Sequence, residues 1–382
     1  MSDAAFEKTL TLGDAVRLSG PMAFNIMIKP AVLGLDFYRK ALEYERKHAG
    51  GKVVHNTIQT NGTLLNREWA RFFHDNGFLV GISLDGPKDI HDRYRRDKGG
   101  LPTFDRVMSG LNILKGEGVE FNTMSTVNHA CEGRGLETYL FLKEVGSGFM
   151  QFMPVVEHVK YPLNGAGKPD RKKRPFIVDP KTDGAVIAPW SVSDIGFGRF
   201  LCDIFDYWVR NDVGRCFVTN FDATLANWVG EMPGTCTFAQ TCGGNSVIEH
   251  NGDLYPCDHF VYKDYLLGNI ADESIAGMMR SDMQTAFGID KRNKLPVKCL
   301  RCEWLFACNG ECPKHRFNTC ESRQGRGGVR IETGLNALCA GYKMFFSHVA
   351  PYMDYMKDLL SRRLAPSYVI PWARSRAVQG RM

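Results

Sequence analysis

Eight of the twelve cysteines fall in one pattern in the C-terminal part of the chain. Four of them form a C-x2-C-x5-C-x3-C run, three precede it and one follows it: Cys236, Cys242, Cys257, Cys299, Cys302, Cys308, Cys312 and Cys339. Eight thiolates suffice for two four-cysteine sites, and all-thiolate sites select zinc or iron–sulfur clusters. Structural zinc also fits the C-x2-C spacing. The metal therefore decides whether this region is a scaffold or an electron relay.

The composition is that of a globular chain with a sizeable core. With 382 residues, 44% of them apolar, the chain can form two domains, or one barrel with an appendage. Its net charge of +6 is a modest excess of 48 basic over 42 acidic residues. The sharpest basic run, residues 171–174, lies in a stretch rich in glycine, proline and aspartate. We interpret it as a solvated loop rather than a nucleic-acid patch, and expect no nucleic-acid partner.

The sequence carries no signal for a membrane or for secretion. No apolar run reaches the length of a membrane span, and the N-terminus has no apolar signal core. We therefore expect a cytoplasmic protein with no membrane partner. In a reducing compartment, clustered cysteines indicate metal ligands rather than disulfides.

Between residues 24 and 208, short apolar strands alternate with amphipathic helices. This rhythm predicts an α/β fold of parallel βα units, in a barrel or an open sheet. Asn66 is a plausible N-cap for the second helix. The predicted strands are residues 24–30, 56–62, 78–87, 119–128 and 149–157, and the predicted helices are 35–48, 67–76, 104–115, 136–145 and 197–209.

Three of these strands end in polar runs, at residues 59–61, 83–85 and 126–128. In parallel α/β folds the carboxyl ends of the strands carry the functional site. Each polar residue could instead cap a helix or form a turn. As a set, they favour a shared ligand site. After residue 236 the segments become short and hairpin-like, as in VIEHNGDLYPCDHF.

The segment between Cys242 and Cys257 bears on the choice of metal. It reads C-x9-G-x4-C, with Gly252 at a turn. Together with the C-x2-C-x5-C-x3-C run and the final lone cysteine, it resembles the SPASM domain of radical S-adenosylmethionine (SAM) enzymes. That domain carries two auxiliary [4Fe–4S] clusters. The resemblance favours clusters over a double-zinc module.

Further segments resemble the anaerobic sulfatase-maturating enzymes: LVGISLDGP, TLANWVG, YPCDHF, LGNI, FACNGECPKHRF and HVAPYMD. The similarity runs from about residue 24 to residue 356. Enzymes of this family oxidise a cysteine or serine of a sulfatase to Cα-formylglycine. The resemblance therefore implies a sulfatase polypeptide as substrate, SAM as cofactor, and an electron donor such as flavodoxin or ferredoxin.

The resemblance also implies a domain layout. Residues 22–228 would form a partial radical-SAM-type (βα) barrel, and residues 229–348 a cysteine-rich SPASM domain with two auxiliary clusters. Residues 349–382 would form a C-terminal helix and tail, and residues 1–21 a leader without an assigned role.

By the family pattern, the eight cysteines divide into two interleaved ligand sets. The first auxiliary cluster would be bound by Cys236, Cys242, Cys257 and Cys312, and the second by Cys299, Cys302, Cys308 and Cys339. Four cysteines are left over: Cys131, Cys202, Cys216 and Cys320. Of these, Cys202 lies on an apolar helix and is most simply part of the core.

The family places an aspartate directly after the third cysteine of the first set, which here is Asp258. Once hydrogen has left the substrate Cβ, the side-chain thiol or hydroxyl must lose its proton as the second electron leaves. A carboxylate within hydrogen-bond reach suits that role of general base. The alternative is that Asp258 caps a turn. His259 fits a supporting or structural role.

SAM binding is carried over from the family to four residues. Ser83 and Arg95 match positions that contact the cofactor, and Gln59 and Asn61 lie at the same predicted site, where they would contact cofactor or peptide. A guanidinium such as that of Arg95 can hold the methionine carboxylate in a bidentate pair. A surface arginine in a basic loop is the alternative for Arg95.

The chain departs from the family at the catalytic cluster. Radical SAM enzymes bind that cluster through C-x3-C-x2-C after the first strand, but here no cysteine precedes Cys131. The Gly-Gly-Glu motif that ends the family's second strand is also absent. Because both flanks match, we interpret the gap as an internal deletion between Ala31 and Val32 that removes the cluster loop, the first helix and the second strand. A truncated paralogue and a fault in the gene model would both produce it.

The gap has two expected consequences. Without the three thiolates, SAM binding becomes doubtful and maturase activity is impaired, because cleavage of SAM depends on an iron placed against it. The alternative function is a non-catalytic iron–sulfur protein that transfers electrons or binds sulfatase peptide. The strands on either side of the gap are left with open edges unless they pair directly.

Overall fold

The structure is a computed structural model that describes residues 22–26, 30–51, 53–180, 182–324 and 328–379. The predicted leader at residues 1–21 lies outside the described residues. The chain divides into two compact units. Of the described residues, the first unit comprises those within 22–84, 95–123 and 234–295, and the second comprises those within 85–94, 124–233 and 296–379. Among the described helices, none is long and apolar enough to cross a membrane.

Strands and helices alternate along the first part of the described chain, and shorter elements follow. Up to residue 229 the described elements are β1 (Met22–Ile26), α1 (Pro30–His48), β2 (Val54–Thr60), α2 (Arg67–Asp75), β3 (Leu79–Ser83), α3 (Lys88–Tyr94), α4 (Phe104–Gly116), β4 (Phe121–Val127), α5 (Gly135–Glu144), β5 (Phe149–Pro154), β6 (His158–Lys160), β7 (Phe176–Val178), β8 (Val186–Ile187), α6 (Asp194–Asn211), β9 (Phe217–Val218) and α7 (Thr219–Val229). After residue 229 come β10 (Val247–Ile248), β11 (Asp253–Tyr255), β12 (Gly268–Asn269), α8 (Ile275–Met279), α9 (Asp282–Asn293), α10 (Val297–Leu300), α11 (Leu305–Cys308), β13 (Asn318–Gln324), β14 (Gly328–Leu335), α12 (Cys339–Ser361) and α13 (Val369–Gln379).

The principal sheet has the strand order β1-β2-β3-β4-β5-β9. Strands β1 and β2 pair in parallel, as do β2 and β3, and β5 and β9. This confirms the predicted α/β fold with parallel βα units. The strands on either side of the sequence gap pair directly, in a register that runs from Met22 opposite Val54 to Ile26 opposite Ile58. Direct pairing satisfies the edges that a missing strand would otherwise leave open.

In the first unit, strand β3 and helix α2 contribute buried side chains to the local core. Val80 and Ile82 alternate along β3 and are fully buried, which is the period of a strand with one face inward. Helix α2 buries Trp69, whose ring meets that of Tyr38 edge to face at 5.4 Å between centroids. Asn66 caps this helix, because its side chain accepts a hydrogen bond from the Trp69 N–H at 3.0 Å. The predicted N-cap is thereby confirmed.

In the second unit, helices α6 and α12 cross at close range. A Cβ atom added to Gly198 would lie 2.6 Å from the carbonyl oxygen of Gly341, and one added to Gly341 would lie 1.9 Å from that of Asp194. Only glycine permits this approach. Beside the crossing, the rings of Phe221 and Phe345 stack with centroids 5.8 Å apart. This packing places the beginning of α12, and with it Cys339.

Three details differ from the sequence predictions or add to them. The predicted strand at residues 24–30 is described only as Met22–Ile26; residues 27–29 lie outside the described part of the chain, and a helix begins at Pro30. The helix predicted from residue 35 therefore starts earlier, with a kink at Gly34 (φ 73°). The small antiparallel sheet β7-β6-β8 was not predicted, because its strands are too short to show a period. Residues 171–174 are exposed, as expected for a solvated loop.

The Asn66 cap yields a stability prediction. Replacing Asn66 with alanine removes the acceptor for the Trp69 N–H, so the free energy of unfolding should fall by about 1 kcal/mol. Asn66→Asp keeps an acceptor at the same place and should leave stability nearly unchanged. Denaturant titration of both variants checks this. Equal losses in the two variants would contradict a capping role.

Candidate metal centres and cofactor site

The second predicted cysteine set comes together in the second unit. Helix α10 carries Cys299, Cys302 follows it, α11 ends at Cys308, and α12 begins with Cys339. The four side chains line one cavity, together with apolar neighbours that include Leu335, Tyr342 and Phe346. Thiols that surround a cavity fit a cluster in which each iron takes one cysteine. Among the described residues, no three His, Cys, Asp or Glu side chains are grouped closely enough to hold a single metal ion.

The loop after Cys308 is held in an unusual backbone conformation. Asn309 and Glu311 have φ angles of 47° and 53°, and the glycine between them has a φ of 72°. The Arg316 guanidinium donates hydrogen bonds to the carbonyl oxygens of Asn309, Gly310 and Glu311, at 2.7 to 2.9 Å. These bonds offset the strain of the left-handed residues. They also fix the spacing between Cys308 and Cys312.

A buried ion pair lies beside the same loop. Glu311 is 1% exposed, and its carboxylate contacts His315 Nδ1 at 3.0 Å and accepts a hydrogen bond from the Asn336 amide. Burial raises the pKa of Glu311, but the His315 charge and these hydrogen bonds outweigh it, so the pKa is lowered. A paired carboxylate at this depth costs far less than an isolated one. The cysteine spacing does not predict a role for Glu311, although this residue stands directly before Cys312.

Three members of the first cysteine set lie in the first unit. The Cys242 N–H donates to the Gly288 carbonyl at 3.1 Å. Lys291 is 1% exposed, and its ammonium donates to the Cys236 and Thr237 carbonyls, which holds the start of the segment in place. The thiols of Cys236 and Cys257 interact electrostatically. The fourth member, Cys312, belongs to the second unit, so this ligand set stays a prediction.

Asp258 lies next to the Cys257 thiol. That thiol donates to the Asp258 carboxylate, with 3.3 Å between sulfur and oxygen. The short 3-10 helix at Asp258–Phe260 is capped by the sulfur of Cys257, which accepts from the His259 N–H at 3.4 Å. The carboxylate is exposed and is not the cap of this turn. Its placement fits the predicted base, a role that stays a prediction.

Burial makes several of the predicted ligand thiols weaker acids than an exposed cysteine. It raises the pKa of Cys257 to about 12, that of Cys299 to about 11 and that of Cys308 to about 12. Without metal these three side chains are therefore protonated at neutral pH. Because metal ligands must be thiolates, binding must release their protons.

The predicted SAM-site residues belong to the first unit, where two of them are in contact. Gln59 Nε2 donates to Ser83 Oγ at 3.1 Å, so the ends of β2 and β3 share one edge of the sheet. The Gln59 side chain crosses Gly81, where an added Cβ would lie 1.9 Å from Gln59 Oε1. Asn61 forms a local turn, since its Oδ1 accepts from the Thr63 N–H at 3.3 Å. Arg95 lies half-buried just after α3.

Some polar strand ends serve the fold of the second unit. Asp85 is 1% exposed, and its Oδ1 accepts from both the N–H and the hydroxyl of Thr126, at 2.8 and 2.9 Å. Asn128 accepts from the Ala130 N–H at 2.9 Å and caps a short helical turn. Asn128 is therefore a cap, as the alternative interpretation predicts, whereas Asp85 bonds a distant residue through one backbone donor and one hydroxyl donor.

The four cysteines left over by the family pattern are all buried: Cys131, Cys202, Cys216 and Cys320. Burial raises the pKa of Cys131 to about 11 and that of Cys202 to about 12. The core position predicted for Cys202 is confirmed.

Comparison with known proteins first defines the class. The profile of the Radical SAM superfamily matches residues 31–130, and that of SPASM, an iron–sulfur cluster-binding domain, matches residues 236–303. The parallel sheet and the cysteine-lined cavity therefore belong to a radical SAM protein with a SPASM domain.

Relatives define the family within this class. The chain is 48% identical over 336 residues to a serine-type anaerobic sulfatase-maturating enzyme of Bacteroides thetaiotaomicron, covering 88% of this chain and 77% of that protein. It is 31% identical over 338 residues to a cysteine-type anaerobic sulfatase-maturating enzyme of Clostridium novyi, covering 88% and 82%. The chain belongs to the anaerobic sulfatase-maturating enzymes. This confirms the resemblance seen in the sequence.

Solved structures agree with that assignment. Native anSMEcpe with bound AdoMet matches with a TM-score of 0.78 and 27% identity, covering 94% of this chain and 91% of that one. Native anSMEcpe with bound AdoMet and Cp18Cys peptide matches with the same score and identity, covering 94% and 92%.

The two ligand sets predict the effect of cysteine substitutions. Cys257→Ala and Cys302→Ala should each lower the iron content of anaerobically reconstituted protein by about half, because each removes one ligand of a different cluster. Protease resistance near the site should fall as well. Cys131→Ala, which alters a buried thiol outside both sets, is the matched control and should keep its iron. Unchanged iron in the first two variants would argue against the assignment.

Proposed function

We propose that this chain is a sulfatase-maturase-type protein that binds two auxiliary [4Fe–4S] clusters. Because it lacks the cysteines of the catalytic cluster, it does not start the radical reaction. The observation that carries the proposal is the cavity lined by Cys299, Cys302, Cys308 and Cys339. Its donor set is thiols alone, which suits iron–sulfur clusters. The first cluster would take Cys236, Cys242, Cys257 and Cys312.

The family reaction assigns a role to Asp258. In that reaction, bound SAM would supply the radical chemistry that takes hydrogen from the Cβ of a sulfatase cysteine or serine. The substrate thiol or hydroxyl must then lose a proton while one electron leaves. Asp258 would accept that proton, and its contact with Cys257 supports this, because the base then stands beside a cluster that accepts the electron.

The cofactor would lie at the carboxyl edge of β2 and β3. Ser83 and Arg95 would contact SAM, and Gln59 and Asn61 would contact SAM or the peptide. The Gln59–Ser83 hydrogen bond supports this, since it brings two of the four polar groups together at the edge where parallel sheets carry ligands. The Asn61 acceptor is engaged by Thr63, so its contribution would come from its amide N–H groups.

The proposed impairment rests on the missing ligands. No cysteine precedes Cys131 in the sequence, and the Cys131 thiol is buried, with its pKa raised to about 11. A cluster with an open iron needs three thiolates after the first strand, and the chain has none there. The auxiliary clusters, with four cysteines each, would accept electrons but offer SAM no free iron.

A second candidate function is a non-catalytic iron–sulfur protein that transfers electrons or binds sulfatase peptide. One observation favours it. Strands β1 and β2 pair in unbroken register across the position of the gap, from Met22 opposite Val54 to Ile26 opposite Ile58. A chain whose sheet closes without the missing strand needs no restored segment to fold. The electron partner would be flavodoxin or ferredoxin, in the cytoplasm.

The cluster count gives a direct test. Anaerobic reconstitution should yield about eight irons per chain rather than about twelve, because eight cysteines fit two four-iron clusters and no C-x3-C-x2-C is present. Iron and sulfide analysis measures this. About twelve irons would refute the count, unless other cysteines were shown to recruit a third cluster. If the protein contained zinc in place of iron, the two cysteine sets would instead form a structural double-zinc module.

A second test concerns activity. The chain should produce no 5′-deoxyadenosine from SAM and no formylglycine in a sulfatase peptide, because nothing presents an open iron to the cofactor. Inserting a family-like segment between Ala31 and Val32, with its three cysteines and its strand, should restore 5′-deoxyadenosine formation. Chromatography of the reaction products measures both.

The restored protein then tests Asp258. Asp258→Asn should lower formylglycine formation much more than 5′-deoxyadenosine formation, because the base acts after the radical has formed. Asp264→Asn, on the same segment but away from the cysteines, is a control. Production of 5′-deoxyadenosine by the unmodified chain, above a no-protein blank, would show that the gap does not impair the enzyme.

A further inference from the structure

A small antiparallel sheet in the second unit has two exposed outer strands. Strands β7 and β8 each pair with β6, so among the described residues they are the edges of this sheet. Phe176 and Ile177 on β7 are 52% and 61% exposed, and Val186 and Ile187 on β8 are 40% and 52% exposed. An edge strand with exposed apolar side chains favours pairing with another chain. The sheet is therefore a candidate docking surface.

The positive charge of the chain is concentrated on this same segment. Residues 158–187 contain seven basic and three acidic residues, so they carry a net charge of +4 out of the +6 of the whole chain. The sharpest basic run, residues 171–174, is exposed and ends one residue before β7 begins. A second copy of this chain would bring like charges together, whereas an acidic partner would meet opposite charges. The charge therefore favours an acidic partner.

The hairpin that carries the basic run has a defined backbone. Leu163 and Pro169 form an antiparallel bridge between its two arms. The next residue, Asp170, turns the chain, because its carboxylate accepts a hydrogen bond from the Lys172 N–H at 3.1 Å. Residues 171–174 are thus held at the beginning of β7, and the nearest carboxylate is engaged in forming the turn.

Strand β6 fixes the sheet to the rest of the second unit. The rings of His158 and Phe317 meet edge to face, with 4.2 Å between their centroids. The Lys314 ammonium donates to the Glu157 carboxylate at 3.5 Å. Val159, in the middle of β6, is fully buried. A sheet held in this way is already in the conformation that a further strand requires, which lowers the entropy cost of binding.

We propose that β7 binds an extended, acidic segment of a polypeptide partner, which adds a further strand at its outer edge. Backbone hydrogen bonds along the edge would supply affinity. Phe176 and Ile177 would contact apolar side chains of the segment, and residues 171–174 would pair with its carboxylates. The inference rests on the proposed function only in taking the partner to be a polypeptide, and it requires neither cluster.

Fluorescence anisotropy of the anaerobically reconstituted full chain tests the proposal. The probe is a labelled peptide of about twelve residues in which glutamate alternates with valine, so that one face of the strand is acidic and the other apolar. It should bind, and more weakly as salt is added. A fourfold variant of the basic run should raise the Kd at least about tenfold at low salt and remove most of the salt dependence. This variant is Arg171→Gln/Lys172→Gln/Lys173→Gln/Arg174→Gln.

The apolar contacts and the edge itself are tested separately. Phe176→Ser/Ile177→Ser should weaken binding but leave its salt dependence in place. A peptide of the same sequence with alternate backbone amides methylated should bind at least about tenfold more weakly, because it cannot form the strand hydrogen bonds. Amide hydrogen exchange at residues 176–178 should slow when the unmodified peptide is bound.

A matched fourfold variant removes four exposed basic residues outside the hairpin and should keep most of the affinity and salt dependence. This variant is Lys115→Gln/Arg292→Gln/Lys294→Gln/Arg362→Gln. If both fourfold variants bind alike, or if the methylated peptide binds as well as the unmodified one, the proposal is wrong. It is also wrong if the chain binds vesicles of anionic lipid through residues 171–174 and does not bind the peptide.

Iron analysis of the same samples distinguishes this inference from the proposed function. A chain with about eight irons that does not bind the peptide overturns the docking site alone. A chain that binds the peptide at β7 but holds no iron overturns the cluster assignment alone.

Discussion

The close crossing of α6 and α12 is the constraint on which the second site depends. Gly198 and Gly341 allow the two helix backbones to approach where any side chain would collide with a carbonyl oxygen. Since α12 begins at Cys339, this crossing sets where the last thiol of the set stands. Tyr342, one turn further along the same helix, is fully buried and forms part of the cavity wall. The proposed cluster site would therefore depend on helix packing as much as on cysteine spacing.

The loop from Cys308 to Cys312, one cysteine from each predicted set, is held by hydrogen bonds and an ion pair. Arg316 binds three successive carbonyls of a strained turn, and Glu311 is buried with His315 and Asn336. Such a network is costly to leave partly satisfied, so it specifies one arrangement of the turn. Between the two cysteines of this turn lie residues that no ligand pattern requires. They hold Cys308 and Cys312 at a fixed separation, so that each predicted cluster could bind its own cysteine without rearranging the backbone.

The sheet is continuous across the position of the proposed gap. Strands that flank the gap pair in parallel and in register, so backbone groups that would have bonded the missing strand bond each other. The chemistry cannot be repaired in the same way. Backbone hydrogen bonds are alike in every strand, whereas a cluster needs particular side chains at a particular place. If the catalytic cluster is lost as proposed, the fold is kept while the activity is not.

The class of the protein could be predicted from the sequence through its resemblance to a known family. Cysteine spacing, the strand–helix rhythm and the Asn66 cap are local patterns, and local patterns can be identified along the chain because their causes lie within a few residues. Tertiary structure decided what depends on distant partners. It directed Asp85 and Asn128 to structural hydrogen bonds, brought Gln59 to Ser83, and started a helix at Pro30. Polar side chains at strand ends look alike in a sequence, because what separates a ligand from a cap is which donor or acceptor the fold places opposite it.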